Sequence, residues 1–328
     1  MAAGTSTSTS ASTSTSISTP TIPPRTGTGT AAATPPRTLY KTAALLVIAD
    51  EVLNGKITDT NSPFFSRYCF QHGLILSRIE TIQDSPADIS STVSRLSSSY
   101  DFVVTSGGIG PTHDDVTYPS IAAAFGLKLE LHRDTVARMK SLPYRGTAFD
   151  WDTPSAQLDA RLRMALLPSG PGTEYILVDP ESLWVPIVVV NFNVYILPGI
   201  PALFESLLES LAPVLKSRGL INPDKERIHR IMISTPLLEA EVAEYLTILQ
   251  HRVDAMGVKV GSYPRWQKDR NTVTLVGKDL EYLEQLVGEV EREVQGRRVG
   301  VEGEDDSGTE QEEGEPGEPG EAKEAGQG

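Results

Sequence analysis

The 328-residue chain has a single cysteine, Cys69, and therefore no internal disulfide. A cysteine-based zinc site is excluded with it, and a lone thiol suits a reducing compartment. No run of about 18 apolar residues, the length a bilayer crossing needs, occurs anywhere. The longest apolar stretch, Trp184 to Val190, is interrupted by Pro186 and reads as a buried strand. Aromatic residues are scarce at 6%, and positive charge is outnumbered, 29 Lys and Arg against 43 Asp and Glu, for a net charge of −14. Nucleic-acid binding draws on a basic surface that neutralises phosphates. Neither nucleic acid nor a membrane is therefore an expected partner.

Residues 1–38 are almost all Ser, Thr, Ala, Gly and Pro, with two charges, Arg25 and Arg37, and no acid. Such a segment buries too little apolar surface to offset its ordering entropy, and we read it as a disordered tail. A Ser-rich, acid-free start also suits a mitochondrial transit peptide, but its arginine content is low, and a cytoplasmic location is the expectation. Residues 301–328 carry 11 acids and one lysine, Lys323, and so hold ten of the fourteen net negative charges. They read as a second, solvating tail. The body between the tails is only mildly acidic.

That body alternates apolar runs with helical patterns. Strands are expected at Ala43–Ala49, Leu74–Ile82, Phe102–Val104, Val185–Val190 and Val194–Leu197. Helices are expected after Asp59, over Ala87–Leu96, over Val116–Phe125 and over Ala202–Lys216. This order predicts an α/β domain over 39–218, with a mainly parallel sheet covered by helices on both faces. Pro143–Glu181 is the irregular part. After a Gly/Asn/Pro break at 217–226, strands at Arg227–Ser234, Val258–Ser262 and Thr272–Val276 and helices at Glu239–Gln250 and Leu280–Val294 predict a small α/β domain over 219–300.

The most informative string is Thr105-Ser106-Gly107-Gly108-Ile109-Gly110-Pro111-Thr112-His113-Asp114-Asp115-Val116-Thr117. A buried strand runs into three glycines and then a helix. Glycines let backbone N–H groups approach an anion, and the helix start adds its own. Two carboxylates, Asp114 and Asp115, then stand beside the phosphate this loop would hold. Their repulsion, about 4 kcal/mol per charge pair at about 4 Å and an effective dielectric of about 20, calls for a metal ion between them. The plainer reading is a Gly-rich turn with Asp115 or Thr117 capping the helix. It is neither a Walker loop nor a dinucleotide fingerprint. In an open α/β sheet, ligands bind at the carboxyl ends of strands. There the loop would be joined by Asp50-Glu51 after the first strand, by Asp59-Thr60-Asn61 at a helix start, and by Leu197-Pro198-Gly199-Ile200-Pro201.

Together these segments resemble the MoaB/Mog molybdopterin-binding fold, in the subgroup found at the N-terminus of competence/damage-inducible protein A and of eukaryotic FAD synthase. The similarity spans about Leu39 to Lys216, and Gly261-Ser262-Tyr263-Pro264 extends it to about Arg298. It departs from the family at Ala49, where a glycine is usual, and between Trp151 and Pro186, where the family's landmarks are barely legible. The resemblance implies a three-layer α/β/α fold and a small-molecule nucleotide or pterin ligand, often on a homo-oligomer. It further implies a pyrophosphatase acting on FAD- or ADP-ribose-like dinucleotides with a divalent metal ion (Mg, Mn or Co), assisted by potassium. Carried over by residue, Asp50, Thr112, Asp114 and Asp115 are catalytic, with the metal on Asp50, Asp114 and Asp115. Gly107, Gly108, Ile109, Gly110, Glu51, Asp59, Asn61, Pro198 and Gly199 hold the substrate. No adenylyltransferase or pyridine-nucleotide amidase segment follows, so this chain is not expected to make FAD by itself. A non-catalytic binding module and a scaffold that has lost turnover remain the alternatives to the enzyme. His113 is a candidate general acid only through its place in the loop. The other four histidines show no metal-ligand spacing.

Overall fold

The computed structural model describes residues 38–142, 149–178, 182–266, 268–302 and 304. The two expected tails fall almost wholly outside the described residues. In chain order the elements are β1 (Thr42–Ile48), α1 (Asp50–Leu53), α2 (Asn61–Gln71), β2 (Ile75–Ile82), α3 (Pro86–Ser99), β3 (Phe102–Ser106) and α4 (Thr117–Ala124). Then come β4 (Lys128–Leu131), α5 (Arg133–Ser141), α6 (Ala156–Arg163), β5 (Leu166–Ser169), β6 (Glu174–Ile176), β7 (Ile187–Val190), β8 (Val194–Leu197) and α7 (Pro201–Ser217). The last are α8 (Pro223–Glu226), β9 (His229–Thr235), α9 (Glu239–Val253), β10 (Lys259–Tyr263), β11 (Asn271–Gly277), α10 (Leu280–Glu293) and β12 (Arg297–Val299).

The main sheet has the order β2-β1-β3-β8-β7-β6. β2, β1, β3 and β8 pair in parallel, and β7 and β6 add antiparallel pairs at the far edge. β1 is apolar from Ala43 to Ile48 because helices cover both of its faces, and Ala43 to Leu46 are fully buried. The layering follows from strand order. β1 crosses to β2 in one direction, and β2 crosses back past β1 to β3 in the other. Right-handed crossovers then put α2 and α3 on opposite faces. α7 packs with α2, and α4 packs with α3. Between β1 and β3 the chain direction reverses, which opens a crevice beyond their carboxyl ends.

The second hydrophobic cluster lies under β9–β12, a four-stranded antiparallel sheet of order β10-β11-β9-β12 with α9 and α10 packed against it. The sequence reading contained three of those strands and lacked β12. Tyr245 and Arg252 of α9 both donate to Glu289 of α10, at 3.0 and 2.7 Å. Arg230 lies over the Phe70 ring of α2 at 4.8 Å, and Lys278 pairs with Glu226.

Three local expectations change. The described part of 143–181 is more regular than expected, with α6, β5 and β6, and β4 and β5 form a two-stranded sheet. Every residue of β4 is exposed, and its Lys-Leu-Glu-Leu alternation is only four residues long. A one-turn helix, α1, precedes the expected Asn54-Gly55 turn. α4 starts at Thr117 without a side-chain cap, because Asp115 and Thr117 are bonded into the preceding loop.

The start of β1 hangs on Asp101. One of its carboxylate oxygens accepts from the Lys41 amide, the Thr42 amide and the Thr42 hydroxyl, at 3.0, 2.9 and 2.9 Å. Partial burial pushes the Asp101 carboxyl up, and these three bonds outweigh it, holding the group below its usual range. A depressed carboxyl stabilises the fold above its unfolded pKa, and that stability is lost as pH falls through the folded value. Asp101→Ala is therefore expected to cost about 1 kcal/mol in urea denaturation at neutral pH. The difference from wild type should shrink below pH 3.8, the group's ordinary value.

Candidate functional site

The crevice between β1 and β3 is built from glycine contacts. Gly107 has φ +107°, a conformation L side chains rarely adopt, and a Cβ there would run into the Ile48 carbonyl oxygen of β1. From the other side, the position of a Cβ on Gly199 would be 3.1 Å from Gly107 Cα. The loops after β3 and β8 therefore touch backbone to backbone. The Gly107 amide donates to the Leu197 carbonyl at 3.2 Å, and the Thr117 hydroxyl donates to the Gly107 carbonyl at 2.9 Å. Pro198 is buried behind this contact, whereas Gly199 faces solvent.

Asp115 shapes the rest of the loop. Its Oδ1 accepts from the Gly110 amide, and its Oδ2 accepts from the Thr112 amide at 2.8 Å and the Thr112 hydroxyl. With Gly110 and Thr112 so engaged, the Gly108 and Ile109 amides have no hydrogen-bond acceptor among the described residues. Ile109 is buried and Gly108 half-buried. Asp114 is exposed. The nearby Thr112 hydroxyl and the residue's own backbone amide, with His113 close by, hold its carboxyl below the usual range. His113 is 96% exposed on its side chain.

Asn61, at the first position of α2, is 6% exposed and reaches across the crevice. Its amide nitrogen donates to Ser106 Oγ at 2.8 Å and to the Gly199 carbonyl at 2.9 Å. Its Oδ1 is buried without a partner among the described residues. Asp59 does not face the same space. Its carboxylate accepts the Asn61 and Ser62 amides, at 2.9 and 3.0 Å, and the Ser62 hydroxyl, so it holds the start of α2.

The sequence reading missed Asp84. It lies just beyond β2, the strand next to β1, and carries the same strand-end signal that marked Asp50. Its Oδ2 accepts the Asp50 amide at 3.1 Å, and its Oδ1 is 3.2 Å from where a Cβ on Gly108 would stand. Burial, reinforced by the charges of Asp50, Glu51 and Asp114, raises its carboxyl above the usual range against the pull of the Asp50 amide. The crevice thus concentrates negative charge beside the open amides of the loop.

Among the described residues, no group of three or more His, Cys, Asp and Glu side chains could by itself hold a metal ion. Asp50, Asp114 and Asp115 are not gathered into such a shell. The donor chemistry nonetheless fits a hard divalent cation. Magnesium usually takes one or two carboxylates and completes its shell with water and substrate phosphate oxygens. Asp50 and Asp114, both exposed, fit that sparse arrangement, whereas Asp115 is largely committed to the loop.

The sequence has relatives among known proteins. A probable FAD synthase of Caenorhabditis elegans is 31% identical over 277 residues, covering 77% of this chain and 50% of that one. The chain thus spans about half the length of the FAD synthase relatives it matches. A protein of Pyrococcus horikoshii is 28% identical over 265 residues, covering 78% of this chain and 96% of that one. Among solved structures, CinA from Thermoplasma acidophilum, a protein of unknown function, is 28% identical with a TM-score of 0.46, covering 54% of this chain and 98% of that one. The sequence model of the probable molybdopterin binding domain family matches residues 44–217, the segment that contains the main sheet and the whole crevice. The chain belongs to that family.

Proposed function

We propose that the crevice binds a small phosphate-bearing ligand, a nucleotide or pterin, and that the protein hydrolyses the phosphoanhydride bond of FAD- or ADP-ribose-like dinucleotides. The observation that carries this reading is the pair of uncommitted amides at Gly108 and Ile109, set at the sheet's switch point beside Asp50, Asp84 and Asp114. Amides of this kind hold a phosphate by dipole and hydrogen bond. The surrounding carboxylates would repel the same phosphate, and a cation offsets that.

In this reading each residue has a limited task. Gly108 and Ile109 hold the phosphate oxygens through their N–H groups. Asp115 keeps those N–H groups in place, and Asn61 and Ser106 tie α2 to the loop. Asp50 and Asp114 would hold a divalent ion, which when bound supplies charge neutralisation and polarises the phosphoryl oxygen. Water adds to one phosphorus and the P–O–P bridge breaks, so FAD gives FMN and AMP. The FAD synthase relatives lend flavin dinucleotides weight as substrates.

A second reading, a binding module without turnover, is favoured by Asp115 itself. Its two oxygens accept three hydrogen bonds inside the loop, which leaves a sparse acid set for catalysis.

Asp114 separates the two readings, since its exposed side chain can be removed without loss of packing. The purified protein should hydrolyse FAD or ADP-ribose with Mg, Mn or Co ions, faster with potassium, and stop on adding a chelator. Asp114→Ala should lower turnover by about 100-fold or more, the scale of losing one directly acting group, while nucleotide binding persists. Wild-type binding with no turnover under any of these metals would move the protein to the second reading.

Asp115→Ala should behave differently. By releasing the Gly110 and Thr112 amides it should weaken nucleotide binding about tenfold or more, about 1.4 kcal/mol or greater, as measured by titration calorimetry. Unchanged affinity would separate the loop brace from ligand binding.

A further inference from the structure

Beside the Gly-rich loop lies a cavity of about 240 Å³ that the sequence reading did not anticipate. Ile109 and Val116 line it from the loop, Tyr118 from α4, Leu129 from β4, and Arg163 and Leu166 from the chain at the end of α6 and the start of β5. We propose that this cavity receives the planar heterocyclic ring of the ligand whose phosphate the loop amides hold, and that Arg163 bridges the two halves. This proposal rests on the phosphate-binding reading above and adds the place that the ligand's ring occupies.

Three observations carry it. First, the lining is mostly apolar where the neighbouring crevice is acidic. Leu129 and Leu166 are 38% and 36% exposed. Leu131, paired with Leu166 across the ladder, is 45% exposed on the same face, so the small sheet turns a leucine face outward, a patch rather than a single exposed side chain. Second, Arg163 Nη1 donates to the Thr112 carbonyl at 2.7 Å, which ties the cavity's cation to the loop that Asp115 braces. The guanidinium has further N–H groups to offer a phosphate oxygen. Third, the size matches one ring system. Sites for whole drug-sized ligands run about 300–1,000 Å³, so this cavity is a subsite.

The test compares ligands that share a phosphate and differ in the ring. Titration calorimetry on the full chain would use AMP and FMN against ribose 5-phosphate. At least one ring-bearing ligand should bind tenfold or more tightly than ribose 5-phosphate. Leu166→Gln and Leu129→Gln each alter one exposed wall without changing charge. Either variant should weaken the ring-bearing ligand fivefold or more and leave ribose 5-phosphate within twofold. Equal affinity of wild type for all three ligands would overturn the ring subsite and leave the phosphate reading standing. So would an equal loss for ring-bearing and ring-free ligands in both leucine variants. Failure of wild type to bind any of the three would overturn both readings.

Discussion

Asp115 accepts three hydrogen bonds inside the loop that follows β3, and the geometry of the crevice depends on them. A Gly-rich segment is entropically costly to hold in one shape, because glycine loses more freedom on ordering than any other residue. The carboxylate offsets that cost locally by gathering the Gly110 and Thr112 amides and the Thr112 hydroxyl. Thr117 and the Gly107–Gly199 contact close the loop from behind. What remains is a short stretch of backbone, Gly108-Ile109, whose amides face no acceptor among the described residues. A surface of open amides is thus produced by satisfying its neighbours.

The same crevice carries an electrostatic conflict. Asp50, Glu51, Asp84 and Asp114 bring negative charge to the place where a phosphate would sit, and burial makes the Asp84 carboxyl harder to ionise. Such a conflict is stable only in part by protonation or hydration, and a divalent cation is the efficient compensator beside a phosphate. The leucine-lined cavity beside the loop has the opposite character and one arginine joined to the loop. Ile109 lines that cavity and carries one of the open amides, so the proposed ligand would draw on crevice, loop and cavity together.

Much of this was legible along the chain. The string Gly107 to Asp115 announced the loop, and the continuous apolar run of β1 announced a strand covered on both faces. The alternation of strands and helices announced a parallel sheet, and residues 44–217 belong to the molybdopterin-binding family accordingly. These features are local: a glycine that needs φ above zero, a strand buried on two sides, and a helix start each leave their mark within a few residues. β4 alternates Lys-Leu-Glu-Leu over four residues and β12 has three, runs too short to stand out.

The sequence by itself determined the fold class, the loop and the positions of Asp50, Asn61, Asp114 and Gly199 at element ends. Only the tertiary structure decided what each of them does. It turned Asp115 inward as a brace and left Asp114 outward, although the two are adjacent and chemically identical. It assigned Asp59 to the start of α2, brought the unmarked Asp84 against Asp50 and Gly108, and set Arg163 beside Thr112, 51 residues away in the chain. The physical reason is that a carboxylate's role depends on which donors surround it. Those donors come from strands brought together by hydrogen bonding and burial, contacts that no local pattern of residues records.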